Sequence, residues 1–478
     1  MPGNRTFRWT LIAIVLGGLL IRVAWILAFH PVPMSDYLRY VMLARTLISR
    51  HIYAEDNFRA CVPPGAAFFL AGAMAVVGDH WWTPALVSLV CYLASVLLIA
   101  RLAYIVAGKT AALYAALAFS IWPSMIAFTG LAASEHAFIP LFILACFPLF
   151  VAESTALRLS PIFGIAAGLA ALTRSVALLL PLVWLIGMWV RDNYKFTFWR
   201  DRGKVLALTS IFMLATVVPW TMRNYRVLHA LIPVSTNGGS IFYRANNPWA
   251  TGGWTPRGER DLDPNVYDEV TWNRLGYAWG REWIAAHPLK FARLILVKEF
   301  LFLRSDGAGV YWSIFRTYPQ RIWSYRIANY ACALWWAALG IAVAAALFRF
   351  RFDPRVICLL LPFLALFAVH SVYESHERYH MPAVPFLVIL GSMLSLRRTN
   401  IATEWEPLET PVNRKIPPRN SSSAYPPAAR GSILISDLLQ LQGGRSRLPL
   451  QLKRLADWLC SGWLFSLIDQ AGWRFAGA

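Results

Sequence analysis

The sequence predicts an all-helical polytopic membrane protein, with about ten spans, external interfacial helices and a large external loop. Three observations predict it. Of 478 residues, 58% are hydrophobic and only 15% are charged, whereas a soluble domain carries about 25% charged residues. The apolar residues fall in runs close to the length that crosses about 30 Å of hydrocarbon. The basic residues collect in short gaps between those runs.

The runs lie near 9–29, 82–106, 110–129, 134–152, 161–173, 175–190, 204–222, 328–348, 355–372 and 381–396. No small-residue cleavage site follows the first, so it reads as a retained helix and not as a signal peptide. The fifth and sixth runs are short and are parted at Thr173-Arg174. They read as two short spans or a broken pair. The stretch 64–78 is apolar too, but counting it as a span would invert every later loop. It is placed as an external interfacial or re-entrant helix. With the N-terminus inside, the cytoplasmic segments then hold Arg5 and Arg8; Arg101 and Lys109; Arg158; Arg191, Lys195, Arg200, Arg202 and Lys204; Arg349, Arg351 and Arg355; and Arg397 and Arg398. Short basic loops on one side are what the positive-inside rule requires. Both termini are expected in the cytoplasm.

The outside receives residues 30–81, the loop 223–327 and the segment Ser371–His380. The membrane module is expected over 1–398. A Pro/Ser-rich linker without order is expected over 399–430. A cytoplasmic tail follows over 431–478, where Leu452, Leu455, Leu459 and Trp463 recur at helical spacing beside Lys453 and Arg454, as in a surface-lying amphipathic helix.

Other classes fit less well. A net charge of +20 suggests nucleic acid in a soluble protein, but here the charge lies between apolar runs, so no nucleic-acid partner is expected. Cys91, Cys146, Cys332 and Cys358 lie within apolar runs, Cys61 in an external loop and Cys460 in the tail, with no paired spacing for a metal site. Neither a phosphate-binding glycine loop nor a dinucleotide fingerprint occurs.

The candidate chemistry lies on the outside. Asp36, in P-M-S-D-Y-L-R-Y just after the first run, is placed to serve as a general base at the bilayer edge. It fits equally the start of a helix, with Ser35 or Asp36 as cap. Glu135 begins the fourth span, where an ionisable group faces the bundle interior or a cavity, or simply favours a helix N-terminus beside Ser134. Arg174, Arg223 and Arg378 break the basic-inside pattern. Three external arginines at membrane depth suit an anionic headgroup, although snorkelling or pairing with Glu135, Glu374 or Glu377 explains any one of them. His376-Glu377-Arg378-Tyr379-His380 matches H-E-x-x-H, which on a helix sets two imidazoles one turn apart for zinc. Pro382 and Pro385 follow at once and argue against that helix. The stretch with Asn246 and Asn247, rich in Asn, Gly, Tyr and Trp, suits sugar binding and suits turns equally.

An ordered series of motifs resembles the GT-C superfamily of glycosyltransferases, nearest to bacterial members of the protein O-mannosyltransferase and aminoarabinose-transferase type. The series runs through Asp36, Pro63-Pro64-Gly65, Ser134-Glu135 and Gly168 to Arg174. It continues through Pro219 to Tyr225, Asn237-Gly238-Gly239 and Asn246-Asn247-Pro248, and ends at Glu377 to Pro382. The likeness covers about 10–396. One position departs: Tyr37 stands where the mannosyltransferase branch usually has Glu. The resemblance implies a membrane enzyme of the bacterial inner membrane that uses a polyprenyl-phosphate sugar as donor on the external face. It implies Asp36 as the acceptor-activating base, with inversion. Arg223, Arg378 and Arg174 would then stabilise the lipid phosphate as it leaves, and Glu135, Asn246, Asn247 and Tyr379 would contact substrate. Partners are the lipid-linked donor, membrane lipids and an acceptor that is a lipid, a polysaccharide or a protein. A divalent metal is not required, and His376 and His380 leave room for one. The competing readings are a transporter or flippase of a lipid-linked substrate, which predicts inverted repeats that the sequence lacks, and an intramembrane zinc metalloprotease built on H-E-R-Y-H.

Overall fold

The computed structural model describes residues 2–192, 198–255, 262, 266–351 and 353–396. The linker 399–430 and the tail 431–478 lie outside the described residues, as do Lys195, Arg397 and Arg398.

Each expected apolar run is helical over most of its length. Five helices are long and apolar enough to cross a membrane: Arg5–Ala28, Thr83–Ser120, Arg202–Leu228, Ile322–Arg349 and Pro354–Val372. The second of these covers two predicted runs. Its 38 residues would extend about 57 Å as one rod, well beyond a bilayer core. Gly108, with φ 82° and ψ −171°, breaks it in two where the sequence places a loop. Only glycine takes that backbone geometry at no steric cost.

The remaining apolar helices are shorter: Gly65–Val77, Ser134–Leu149, Ser160–Thr173 and Ser175–Arg191. The fifth and sixth runs are thus separate pieces. Arg174 is extended between them. The 64–78 stretch forms a helix of 13 residues, about 20 Å long.

Packing explains how short helices persist. Every residue from Val384 to Ser392 except Gly391 is buried, so this helix is enclosed by others, as a helix apolar all round must be. The helix Ser134–Cys146 is nearly as enclosed. The helix Ser160–Thr173 lies against Phe198–Leu228 through Gly164 and Gly168, a small-x-x-x-small pair that lets backbones approach. A methyl at Gly168 would stand 2.4 Å from Thr216 Cβ and 2.8 Å from the Met213 carbonyl oxygen. Gly168→Val is therefore expected to lower stability by about 1–3 kcal/mol and to displace the adjoining Arg174. Thermal unfolding in detergent checks this, and an unchanged transition would contradict the close approach.

The segment expected as an external loop, 223–327, is largely helical. The Phe198–Leu228 helix runs on past Arg223, and Gly238–Ala245, Glu269–Ala286 and Pro288–Leu303 follow. The last packs along the membrane helix Pro354–Val372, with Phe302 5.7 Å from Phe363 and 5.6 Å from Phe367 between ring centroids. Loop and bundle meet there, and the site lies at that junction.

Candidate active site

At one end of the bundle is a cavity of about 2000 Å³. Its walls come from the N-terminus of the Asp36–Arg50 helix, the Arg174 break, the helix Gly238–Ala245, the turn after Leu303 and the segment 369–379.

Asp36 is the first residue of its helix, and no side chain caps that helix. Ser35 before it takes φ 52°, a conformation that costs a non-glycine residue about 1–3 kcal/mol. The strained entry leaves the Asp36 carboxylate free of capping, and its side chain is 46% exposed. Arg378 Nη1 stands 3.3 Å from Asp36 Oδ2. The other face of Arg378 donates from Nε to Glu135 Oε1 at 2.9 Å. Arg174 Nη1 lies 2.8 Å from the same Glu135 oxygen, and Glu135 is 0% exposed. Ser134 Oγ donates to its other oxygen at 3.3 Å. Two carboxylates and two guanidiniums thus form a balanced cluster. Burial opposes the Arg378 charge, but Glu135 foremost, with Asp36 in support, holds its pKa well above the ordinary value.

A second network stiffens the wall. Glu374 accepts from Arg244 Nε at 2.6 Å and Nη2 at 2.8 Å, the bidentate geometry that fixes a guanidinium. Tyr379 donates its hydroxyl to the same carboxylate at 2.9 Å and stacks on His370 at 4.2 Å. Behind this wall the buried Lys298 donates to Asn246 Oδ1 at 2.9 Å and to the Val372 carbonyl at 3.0 Å.

Two cations remain available. Arg304 and Arg316 line the cavity and are exposed. Among the described residues neither has a carboxylate within ion-pair distance.

The structure therefore gathers Asp36, Glu135, Arg174, His376, Arg378 and Tyr379, and places Arg223, Asn246, Asn247 and His380 elsewhere. Arg223 does not line the cavity. Its guanidinium donates to the carbonyls of Arg59 at 2.6 Å and Tyr53 at 2.8 Å, and lies over the Trp220 ring, so it ties the 53–59 loop to its helix. Asn246 and Asn247 are buried, and their amide nitrogens donate to carbonyls of Phe242, Val372, Tyr243 and Arg244. H-E-R-Y-H is not an α-helix. It forms the short 3-10 turn Glu377–Tyr379, with a second at Met381–Ala383. His376 is extended and lines the cavity, while His380 is fully buried. The two imidazoles do not share a helix face, so the zinc-site geometry of that motif is not met. Among the described residues no group of three or more His, Cys, Asp or Glu side chains is placed to hold a metal. Sequence reasoning missed Arg244, Arg304, Arg316 and Lys298.

Fold and cluster define a class: an all-helical polytopic membrane protein with a charged cavity at one end of its bundle. More particularly, residues 61–222 match the family described as dolichyl-phosphate-mannose-protein mannosyltransferase, which bears out the GT-C resemblance over that stretch. No curated protein is matched. Among solved structures, the Archaeoglobus fulgidus oligosaccharyltransferase AglB in complex with an inhibitory peptide and a dolichol-phosphate shares 13% identity at a TM-score of 0.47, over 80% of this chain and 50% of that one. The apo form of the Archaeoglobus fulgidus oligosaccharyltransferase gives 14% and 0.49, again over 80% and 50%. ArnT from Cupriavidus metallidurans bound to undecaprenyl phosphate gives 14% and 0.41, over 80% of this chain and 77% of that one. The chain spans about half the length of the oligosaccharyltransferase it resembles.

Proposed function

We propose that this chain transfers a hexosyl or pentosyl group from a polyprenyl-phosphate-linked donor to an acceptor, with inversion. The reaction takes place at the external face of the bacterial inner membrane, with both termini in the cytoplasm. The observation that carries the reading is the half-exposed Asp36 carboxylate, held by Arg378 at the edge of a cavity with two unpaired arginines. The orientation rests on the basic clusters that fall on one side of the spans. The family match over residues 61–222 supports the donor class.

The chemistry follows from the charges. The acceptor hydroxyl or amide gives its proton to Asp36 as its heteroatom bonds to the anomeric carbon. The bond from that carbon to the phosphate oxygen breaks, and its electrons stay with the lipid phosphate. The donor phosphate carries one negative charge as a diester and gains a second as it leaves. Fixed cations beside it therefore bind the transition state more strongly than the ground state. Arg174 and Arg378 are neutralised by Glu135 and Asp36, so their role is to hold the base. Arg304 and Arg316 are the cations left for the phosphate. A small-ligand site occupies about 300–1,000 Å³, so the cavity has room for a donor headgroup and an acceptor together.

The test is donor utilisation by purified variants. Arg304→Ala and Arg316→Ala are each expected to lower kcat/KM for a polyprenyl-phosphate sugar by about 10- to 100-fold, the worth of a hydrogen bond to a charged group. Arg223→Ala is expected to lower thermal stability and to leave donor utilisation nearly unchanged in the protein that remains folded. The reverse ranking would sink the assignment.

A further inference from the structure

The second histidine of H-E-R-Y-H has a place in the fold that zinc binding does not explain. His380 is fully buried. Its Nδ1 lies 2.5 Å from the Phe302 carbonyl oxygen and its Nε2 lies 3.4 Å from Asp306 Oδ1. Its ring stacks on Trp336 at 4.3 Å. Asp306 is buried too, and its other oxygen accepts from the indole N–H of Trp122. Trp336 donates its own indole N–H to the Leu303 carbonyl at 2.8 Å, and the Ser305 hydroxyl donates to the Glu377 carboxylate.

Taken along the chain, Phe302, Leu303, Ser305 and Asp306 are each held by a named polar contact. Arg304 lies in their midst, exposed and lining the cavity. A buried carboxylate and imidazole are costly, and well-packed apolar residues are often as stable or more so. Such a pair at this point is accounted for by the geometry it fixes.

We propose that Asp306 and His380 form a positioning pair that sets the turn after Leu303, so that Arg304 meets the phosphate of a lipid-linked donor. The inference rests on the donor reading above. Neither Asp306 nor His380 touches substrate. Asp306 acts from the loop side, bridging Trp122 and His380, and His380 acts from the 369–380 segment. The pair therefore couples the turn that carries Arg304 to the segment that carries Arg378.

The test is a binding cycle on the purified full-length chain, with polyprenyl phosphate in detergent micelles as the probe. It resembles the leaving group and needs no acceptor. Arg304→Ala and Asp306→Asn are each expected to weaken binding by about 10-fold. The double variant is expected to bind no more weakly than Arg304→Ala alone, because residues that act through one another are not additive. Trp122→Phe, which removes the other partner of Asp306, is expected to behave like Asp306→Asn and serves if the latter fails to fold. Losses that multiply in the double variant, or Asp306→Asn and Trp122→Phe proteins that bind like wild type, would overturn the positioning role. Wild-type protein that does not bind polyprenyl phosphate would overturn the donor reading beneath it, which separates the two failures.

Discussion

Asp36→Asn is expected to abolish sugar transfer while leaving polyprenyl phosphate binding within a few-fold of wild type. The substitution keeps size and shape and still offers an oxygen to Arg378, now 3.3 Å from the carboxylate. In the proposed mechanism it removes only the ability to take up the acceptor proton. Loss of a general base typically costs about 10²- to 10⁴-fold in rate. Because the Asp36 side chain is 46% exposed and caps no helix, the fold does not depend on it, and thermal stability should barely move. Turnover and binding measured on the same preparation check both halves. A folded variant that turns over at the wild-type rate would move the base elsewhere.

Glu135→Ala is expected to do the opposite, with stability suffering first. Glu135 is 0% exposed and receives Arg174 at 2.8 Å and Arg378 at 2.9 Å. Removing it leaves two guanidiniums facing each other at the edge of an apolar bundle. Breaking a buried pair in this way costs about 3–5 kcal/mol. Arg378 would then have only Asp36 as a carboxylate partner and would be drawn from the position that Glu135 now fixes for it. The surviving folded fraction should therefore also transfer sugar more slowly. Thermal unfolding and turnover per folded molecule separate the two effects. A Glu135→Ala protein as stable as wild type would show that the cluster carries no structural charge.

Much of this was legible in the sequence because charge at membrane depth is expensive. Asp36, Glu135, Arg174 and Arg378 each interrupt or border an apolar run, and alternation of the spans places all four at one end. Asp36 and Arg378 meet although 342 positions separate them. The short fifth and sixth runs, parted at Arg174, are two pieces for the same reason: an arginine ends an apolar helix where it finds a carboxylate.

In the sequence Arg223 stands out by the same rule, whereas Arg304 and Arg316 do not. All three are arginines in or beside the 223–327 segment. What separates them is whether their hydrogen bonds are already used. Arg223 gives its bonds to the Arg59 and Tyr53 carbonyls, more than 160 positions away, and no local pattern reveals that. Charge in a segment that reads as an external loop carries no signal, so Arg304 and Arg316 do not stand out in the sequence. The packing of Pro288–Leu303 along a membrane helix brings Arg304 to the cavity wall. Asn246 and Asn247 show the converse. Their composition suits sugar, but their amides satisfy carbonyls at the end of the Gly238–Ala245 helix, and Asn246 also binds the Val372 carbonyl. In H-E-R-Y-H, Pro382 foretold the loss of the helix.

In the proposed reaction the cavity breaks the bond between a sugar and a lipid phosphate. The most direct measurement follows a labelled polyprenyl-phosphate sugar with purified wild-type protein and an extract of candidate acceptors, scoring free polyprenyl phosphate and sugar on the acceptor together. The expected result is acceptor-dependent release of polyprenyl phosphate, matched by sugar transferred with inverted configuration and lost in Asp36→Asn. A donor that binds and crosses a reconstituted bilayer with its sugar still attached would rule out sugar transfer and identify a transporter instead.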